Sequence, residues 1–76
     1  MEINNLEKFK AKLSSGRLCV GTVITLSDPV VSELAGDCGM DFTWIDAEHA
    51  PFSLENILGH VMALRGTDCA PLVRVA

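Results

Sequence analysis

A short apolar stretch of the sequence leads into three titratable side chains that lie within four positions of one another. Residues 42–45 (FTWI) are followed by Asp46, Glu48 and His49. An imidazole with an ordinary pKa of about 6.5 exchanges a proton near neutral pH, and neighbouring carboxylates can orient it or organise a water molecule. The spacing therefore predicts an acid–base site at the end of this stretch.

A single arginine interrupts a later apolar stretch. Arg74 stands between Val73 and Val75, and a buried guanidinium is costly unless an anion or a carbonyl oxygen faces it. Arg74 is thus the candidate for binding negative charge on a substrate. Two plainer interpretations remain open: Asp46 could cap a turn within ordinary loop polarity, and Arg74 could form a structural pair with Asp46 or Glu48.

The other histidine and the cysteines are assigned no site. His60 is predicted to be a surface or half-buried helix residue, and its separation from His49 is not that of a helical zinc pair. The three cysteines, Cys19, Cys38 and Cys69, show no CxxC or CxH spacing, which argues against a zinc site and a disulfide framework. Cys19 and Cys38 are predicted to be small buried hydrophobes with reduced thiols.

The hydrophobic period alternates between helical and extended spacing along the chain. The predicted elements are a helix at 4–16, a strand at 18–25, a helix at 28–39, a strand at 41–46, a helix at 53–66 and a strand at 71–75. Strands that alternate with helices form a parallel sheet with right-handed connections. We therefore expect an α/β fold: the N-terminal part of a TIM (β/α)8 barrel, with about three strands and an extra N-terminal helix. Residues 1–76 would form a single partial domain.

The second and third predicted helices each have an apolar stripe that we expect to be buried. These stripes comprise Val30, Val31, Leu34, Ala35 and Cys38, and Leu54, Ile57, Leu58, Val61 and Met62. Barrel enzymes carry their active sites at the carboxyl ends of the strands. The four candidate residues should therefore share one rim with Thr25 and Ser27, which end the first strand.

Composition narrows the range of partners. The 76 residues are 49% hydrophobic with a net charge of −4, and they lack the clustered Lys and Arg of a nucleic-acid binder. The N-terminus does not resemble a signal peptide, and no apolar run reaches the roughly 20 residues of a membrane helix. We expect a cytoplasmic protein with no nucleic-acid or membrane partner. Such apolar content in a short chain suggests a piece of a larger domain, or a subunit that assembles with copies.

Two stretches of the sequence resemble the HpcH/HpaI family, the class II pyruvate aldolases. Residues 42–51 (FTWIDAEHAP) are similar to the family's second strand and the turn after it, and residues 71–75 (PLVRV) to its arginine-bearing third strand. Smaller similarities at 21–22, 27–29 and 35–42 extend the resemblance over nearly the whole chain. The combination of the two motifs is more specific than either motif alone.

The resemblance implies a role for each candidate residue. His49 would act as the general base and Arg74 would stabilise an enolate, while Asp46 and Glu48 would line the substrate pocket. The reaction would be the cleavage of a 4-hydroxy-2-oxo acid to pyruvate and an aldehyde. No Schiff-base lysine is expected, because all three lysines lie in the first predicted helix.

The resemblance also implies a divalent metal, Mg²⁺, Mn²⁺ or Co²⁺, as the Lewis acid of the full-length enzyme. The family's metal ligands, a Glu and an Asp, lie on later strands and are therefore expected downstream of Ala76, the last residue of the sequence. No metal ligand is expected among residues 1–76, and the isolated chain is expected to be inactive.

The resemblance implies partners and leaves two alternatives. The partners would be a 2-oxo acid and an aldehyde, and the full-length enzyme would be a homo-oligomer. One alternative is an acyl-CoA lyase like the citrate lyase β type of the same superfamily. The other is a non-catalytic remnant or binding fragment.

Overall fold

Helices and strands alternate along the chain in the predicted order. The computed structural model describes residues 5–50 and 52–75. The elements are α1 (Asn5–Ser14), β1 (Gly21–Ile24), α2 (Val30–Asp37), β2 (Phe42–Asp46), α3 (Leu54–Ala63) and β3 (Ala70–Arg74). The first strand is half as long as predicted, and the third begins one residue earlier. The predicted helix start at Asn4 lies outside the described residues, and so does Ala76.

The three strands form one parallel sheet with β2 in the centre. Trp44 pairs with Val23 on one side and with Leu72 on the other, which confirms the prediction that residues 44 and 45 belong to a central parallel strand. The α/β fold, with parallel strands and an extra helix before them, is confirmed as well. In this arrangement the carboxyl ends of β2 and β3 meet at the same edge, where the candidate site was predicted.

Two of the helices begin with side-chain caps that the sequence contains. The Asp28 carboxylate accepts a hydrogen bond from the backbone N–H of Val30, 3.0 Å away, at the start of α2. At the start of α3, Ser53 and Asn56 form a reciprocal capping box with two bonds of 3.1 Å. Such caps satisfy N–H groups that have no partner within the helix. They fix where each helix begins after the turn at the rim.

The two faces of the sheet differ in their cover. Ile24, Thr43 and Ile45 are fully buried on the face that packs against α2 and α3. Val23 and Trp44, whose side chains alternate with these along the strands, are 59% and 39% exposed. The hydrophobic core therefore lies between one face of the sheet and the helices, and the other face is open.

The buried side of α2 differs from the predicted stripe. Ser32 and Ala35 are buried, whereas Val30 and Leu34 are more than half exposed. Small side chains let α2 approach α3 closely, since a Cβ added at Gly36 would meet the Leu64 side chain at 3.1 Å. Hydrophobicity alone could not find this side of the helix, because apolar residues lie on both sides.

The stripe predicted for α3 is also rotated. Leu54 is 83% exposed, and Leu58 and Met62 are more than half exposed, while His60 and Leu64 are fully buried. The prediction that His60 lies on the surface or half-buried is therefore wrong. Its burial is possible because the Ser32 hydroxyl of α2 lies 2.6 Å from its Nδ1, and a hydrogen-bonded polar group costs far less to bury than an unpaired one.

The cysteines divide by environment in a way that differs from the prediction. Cys38 is exposed and Cys19 is half-buried, so the prediction of burial is wrong for Cys38. Cys38 is exposed because α2 turns its small residues, rather than this end of its apolar stripe, toward the core. Cys69 is the buried one, and its burial raises the pKa of the thiol to about 11. A thiol in this state is a structural hydrophobe rather than a nucleophile.

Helix α1 is fixed at the amino end of the sheet, opposite the candidate site. Lys12 pairs with Asp41, the residue before β2, at 2.7 Å, and the Asn5 side-chain amide donates to the carbonyl oxygen of Cys69 at 2.9 Å. The Phe42 ring also packs against α1 and lies so close to Gly21 that a Cβ there would overlap it. These contacts separate the part of the molecule that holds α1 from the part that carries the polar rim.

Acid should weaken the attachment of α1. The hydrogen bond from Lys12, followed by that from the backbone N–H of Val20, lowers the pKa of Asp41 below its usual value of 3.8. A carboxyl whose pKa is lower in the folded state stabilises the fold above its unfolded pKa, and this contribution is lost as the pH falls through the folded pKa. We expect the free energy of unfolding, measured with urea, to fall below about pH 4 and to fall less steeply in Asp41→Asn. The exposed Asp37→Asn variant is the charge-matched control, and an equal change there would contradict the assignment.

Candidate active site

The last residues of β2 and β3 bring the candidate site together. Asp46 ends β2, Arg74 ends β3, and the two are register partners in the parallel ladder. The ladder continues for one more bond, because the backbone N–H of Ala47 donates to the carbonyl oxygen of Arg74 at 3.0 Å. The turn after β2 is thereby attached to the end of the neighbouring strand. This places Glu48 and His49 beside Arg74 at the carboxyl rim.

The Asp46 carboxylate organises the turn that follows it. Its Oδ1 accepts hydrogen bonds from the backbone N–H groups of Glu48 at 3.1 Å and His49 at 3.0 Å. The bond from the His49 backbone is the main reason that the pKa of Asp46 lies below its usual range, and the partial burial of the carboxyl opposes this only in part. The interpretation of Asp46 as a turn cap is therefore correct as geometry.

The same carboxylate also binds the imidazole of His49. Its Oδ2 lies 3.0 Å from Nδ1 of His49, a side chain that is 63% exposed. An ionised carboxylate only accepts hydrogen bonds, so a neutral His49 must donate from Nδ1 and carry its lone pair on Nε2. The contact therefore selects the tautomer in which the outer nitrogen accepts a proton. In the sequence Asp46 was assigned only to the pocket lining, and this contact was missed.

Arg74 pairs with Glu48 and not with Asp46. Its Nε lies 2.5 Å from Oε2 of Glu48, and both side chains are more than a third exposed. The alternative of a structural ion pair is thus realised for this carboxylate. An exposed pair contributes little to stability, and the contact uses only Nε, while the terminal nitrogens of a guanidinium carry four further N–H donors. The pair orients the guanidinium without exhausting it.

A cleft of about 290 Å³ opens at the same end of the sheet. Its lining residues are Thr25, Leu26, Ser27, Phe52 and Asn56. Sequence reasoning placed Thr25 and Ser27 at this rim but missed Phe52 and Asn56. The capping box at the start of α3 was the signal that could have placed Asn56 there, because it fixes the first turn of α3 beside the turn that carries His49.

The described residues do not make a metal centre. Within residues 5–50 and 52–75, no three His, Cys, Asp or Glu side chains converge so as to hold a metal ion. The nearest candidates, Asp46 and Glu48, direct their oxygens to His49 and Arg74. The location of the metal ligands downstream of Ala76 stays a prediction, because Ala76 itself lies outside the described residues.

The membrane prediction can be compared with the helices that the structure describes. In residues 5–50 and 52–75 no helix has the length and apolar character required to cross a membrane. The longest helices, α1 and α3, have 10 residues each, whereas a membrane span takes about 20.

Comparison with known proteins identifies relatives over nearly all of the chain. It is 40% identical over 68 residues to the 5-keto-4-deoxy-D-glucarate aldolases of Citrobacter koseri and Escherichia coli. The match covers 90% of this chain and 26–27% of those proteins. The chain therefore spans about a quarter of the length of these relatives. No family model matches the chain.

Solved structures give a concordant result. The chain matches the citrate synthase SbnG with a TM-score of 0.80 and 30% identity, covering 88% of this chain and 27% of SbnG. The SbnG E151Q variant matches with a TM-score of 0.78. Sequence and structure thus agree with the pattern of Asp46, Glu48, His49 and Arg74 at one rim of a parallel sheet. Over nine tenths of its length, this chain is a homologue of the 5-keto-4-deoxy-D-glucarate aldolases of the HpcH/HpaI family.

Proposed function

We propose that this chain forms the first βα units, and part of the active site, of a barrel aldolase that cleaves a 4-hydroxy-2-oxo acid to pyruvate and an aldehyde. The observation that carries the proposal is the contact of Asp46 with His49 beside the guanidinium of Arg74 on the next strand. A base with a fixed tautomer next to a positive charge is what this cleavage needs from a protein. The names of the aldolase relatives supply the substrate class.

The substrate in those names has the required bond arrangement. Numbered from its keto end, 5-keto-4-deoxy-D-glucarate is a 2-oxo acid with a methylene at C3 and a hydroxyl at C4. Removal of the C4 hydroxyl proton lets the C3–C4 bond break, so that C4 becomes an aldehyde and the bonding electrons remain on the pyruvate fragment as an enolate. A proton added at C3 then gives pyruvate. The enzyme must accept one proton and stabilise one developing negative charge.

His49 and Arg74 are suited to these two tasks. With Nδ1 engaged by Asp46, Nε2 of His49 would accept the C4 hydroxyl proton, directly or through a water molecule. The Arg74 guanidinium would face the enolate oxygen, where a fixed positive charge acts only as the negative charge develops. Glu48 would hold Arg74 in position through their ion pair. A Schiff base is not needed, and Lys8 and Lys12 are engaged by aspartates at the opposite end of the sheet.

The metal belongs to the less specific part of the proposal. A divalent cation, Mg²⁺, Mn²⁺ or Co²⁺, would supply Lewis-acid chemistry to the 2-oxo acid in the full-length enzyme. The carboxylates of Asp46 and Glu48 do not fit such a site, since hard cations need several converging oxygen ligands and these are directed elsewhere. The ligands would come from parts of the barrel that follow Ala76 in the relatives, which this chain does not match. A homo-oligomer in the cytoplasm remains a prediction.

A second candidate is condensation rather than cleavage. SbnG, which matches this chain at 30% identity, is a citrate synthase, and joining two acids through an enolate uses the same two tasks in reverse. The aldolase proposal is preferred because 40% identity over 68 residues supports it. Citrate formation that exceeds pyruvate release in the experiment below would favour the condensation.

A hybrid enzyme tests the proposal. It is the Citrobacter koseri aldolase in which the matching segment is replaced by the 68 matched residues of this chain. We expect the hybrid to release pyruvate from 5-keto-4-deoxy-D-glucarate within about tenfold of the parental kcat/KM, measured by coupled reduction of pyruvate. The 76-residue chain alone should stay at background. A folded hybrid with parental oligomeric state but no pyruvate release would refute the proposal.

A further inference from the structure

The buried polar pair His60–Ser32 lies directly beneath the rim. Both side chains are fully buried, and the 2.6 Å contact between His60 Nδ1 and Ser32 Oγ joins α3 to α2 across the helix layer. Polar groups in such positions are retained at a cost to stability, and an apolar residue at either position would pack there without it. The pair therefore calls for an explanation beyond packing, and the proposed reaction does not use it.

Phe52 connects this pair to the turn that carries His49. The Phe52 ring meets the His60 ring edge to face, with centroids 5.4 Å apart and planes at 70°. Such aromatic contacts prefer this geometry and resist sliding. Phe52 also donates its backbone N–H to the carbonyl oxygen of Ala50 at 2.8 Å, and Ala50 donates to that of Asp46 at 3.3 Å. One side chain thus bridges the buried pair and the turn.

The turn Asp46–Ala50 is consequently held at both ends. At its beginning, Ala47 is bonded to the carbonyl oxygen of Arg74. At its far end, Phe52 rests on a ring that the Ser32 hydroxyl fixes in position. An exposed imidazole such as His49 has few contacts of its own, so its position relative to Asp46 depends on how firmly the turn is fixed. Displacement of a reacting group by about 1 Å can lower a rate by about two orders of magnitude.

We propose that His60, held by Ser32, is a positioning residue for His49 and acts through Phe52. The inference deepens the proposed function and rests on it, because it concerns the same base, but its test does not depend on activity. Two variants loosen the support in different ways. His60→Asn keeps a polar partner for Ser32 and removes the ring beneath Phe52. Phe52→Leu removes the other ring at a half-buried position, where the fold tolerates the change more easily.

Two NMR measurements on the 76-residue chain report the state of the turn. One is the carboxyl ¹³C titration of Asp46, whose pKa is lowered chiefly by the backbone N–H of His49. The other is hydrogen exchange of that N–H. In His60→Asn and Phe52→Leu we expect the pKa of Asp46 to rise toward its ordinary value and the His49 amide to exchange about tenfold faster. Phe52→Tyr, which keeps the ring, should behave as the wild type.

Two controls separate positioning from general loss of stability. Asp41, at the opposite end of β2, has a pKa lowered by Lys12 and should titrate unchanged in every variant. Leu64→Ala opens a cavity in the same helix layer without touching Phe52, and should leave Asp46 unchanged under folded conditions. The proposal is overturned if Asp46 and the His49 amide do not respond to His60→Asn and Phe52→Leu, or if Leu64→Ala moves them as much.

The same variants in the hybrid enzyme distinguish this inference from the proposed function. We expect His60→Asn to lower kcat about tenfold with little change in KM, because the base is misplaced while binding is retained. An inactive hybrid in which Asp46 still follows His60 would reject the aldolase and keep the positioning role. An active hybrid in which neither kcat nor Asp46 responds would do the reverse.

Discussion

Replacing His49 by alanine is expected to lower kcat of the hybrid enzyme by about 10²–10⁴-fold, the usual effect of removing a general base. The C4 hydroxyl would lose its proton acceptor, while the guanidinium of Arg74 and the sheet beneath it would be untouched. KM should change little, since the imidazole acts on the transition state rather than on binding. Pyruvate release under saturating and limiting substrate provides both constants.

Asp46→Asn tests whether the carboxylate acts through the tautomer of His49. The asparagine carbonyl can still accept the backbone N–H groups that Asp46 accepts now, so the turn is retained. Its amide group, however, donates toward Nδ1, which would move the proton of His49 to Nε2 and block the base. We expect a loss close to that of His49→Ala, as a similar change causes in serine proteases. Full activity of either variant would remove the pair from the mechanism.

Arg74→Ala is expected to lower kcat/KM by about 10²–10³-fold, because the enolate would lose its fixed positive partner. Arg74→Lys should restore only part of this, since an ammonium is a point charge and cannot reproduce the planar fork of a guanidinium. Glu48→Gln is the matched control. It removes the carboxylate that Arg74 now contacts and leaves the guanidinium in place, so its effect should be much smaller.

Deuterium uptake into the methyl group of pyruvate separates the two residues chemically. This exchange requires an enolate but no aldehyde, and it should be suppressed in Arg74→Ala. If His49 serves only the C4 hydroxyl, exchange in His49→Ala continues at the rate of the unsubstituted hybrid. Exchange at that rate in Arg74→Ala would remove Arg74 from enolate stabilisation, whatever the effect of the substitution on cleavage.

The order of elements and the location of the polar rim were predictable because they depend on local patterns. Asp46 follows a strand whose period is extended, and the strands alternate with helices, so parallel pairing was the natural expectation. The register that brings Asp46 opposite Arg74 follows once the strands are parallel and adjacent. Asp28 and Ser53 likewise indicated where α2 and α3 begin.

The helix faces and the ion-pair partners were not predictable in the same way. Both α2 and α3 carry apolar side chains all around, so hydrophobicity could not decide which side faces the sheet. The burial of His60 depends on Ser32, 28 positions away, and no local pattern links them. The choice of Glu48 rather than Asp46 as the partner of Arg74 depends on the shape of a turn that Asp46 itself closes.

The open face of the sheet gives this protein an internal optical reporter. Trp44 is the only tryptophan of the chain, and it stands on that face two residues before Asp46, with 39% of its surface exposed. Indole emission shifts with the polarity around the ring, so whatever covers this face alters the emission colour and its quenching by iodide. Ligand arrival, subunit docking and the assembly of a hybrid barrel can therefore be followed without a label, from a residue adjacent to the chemistry.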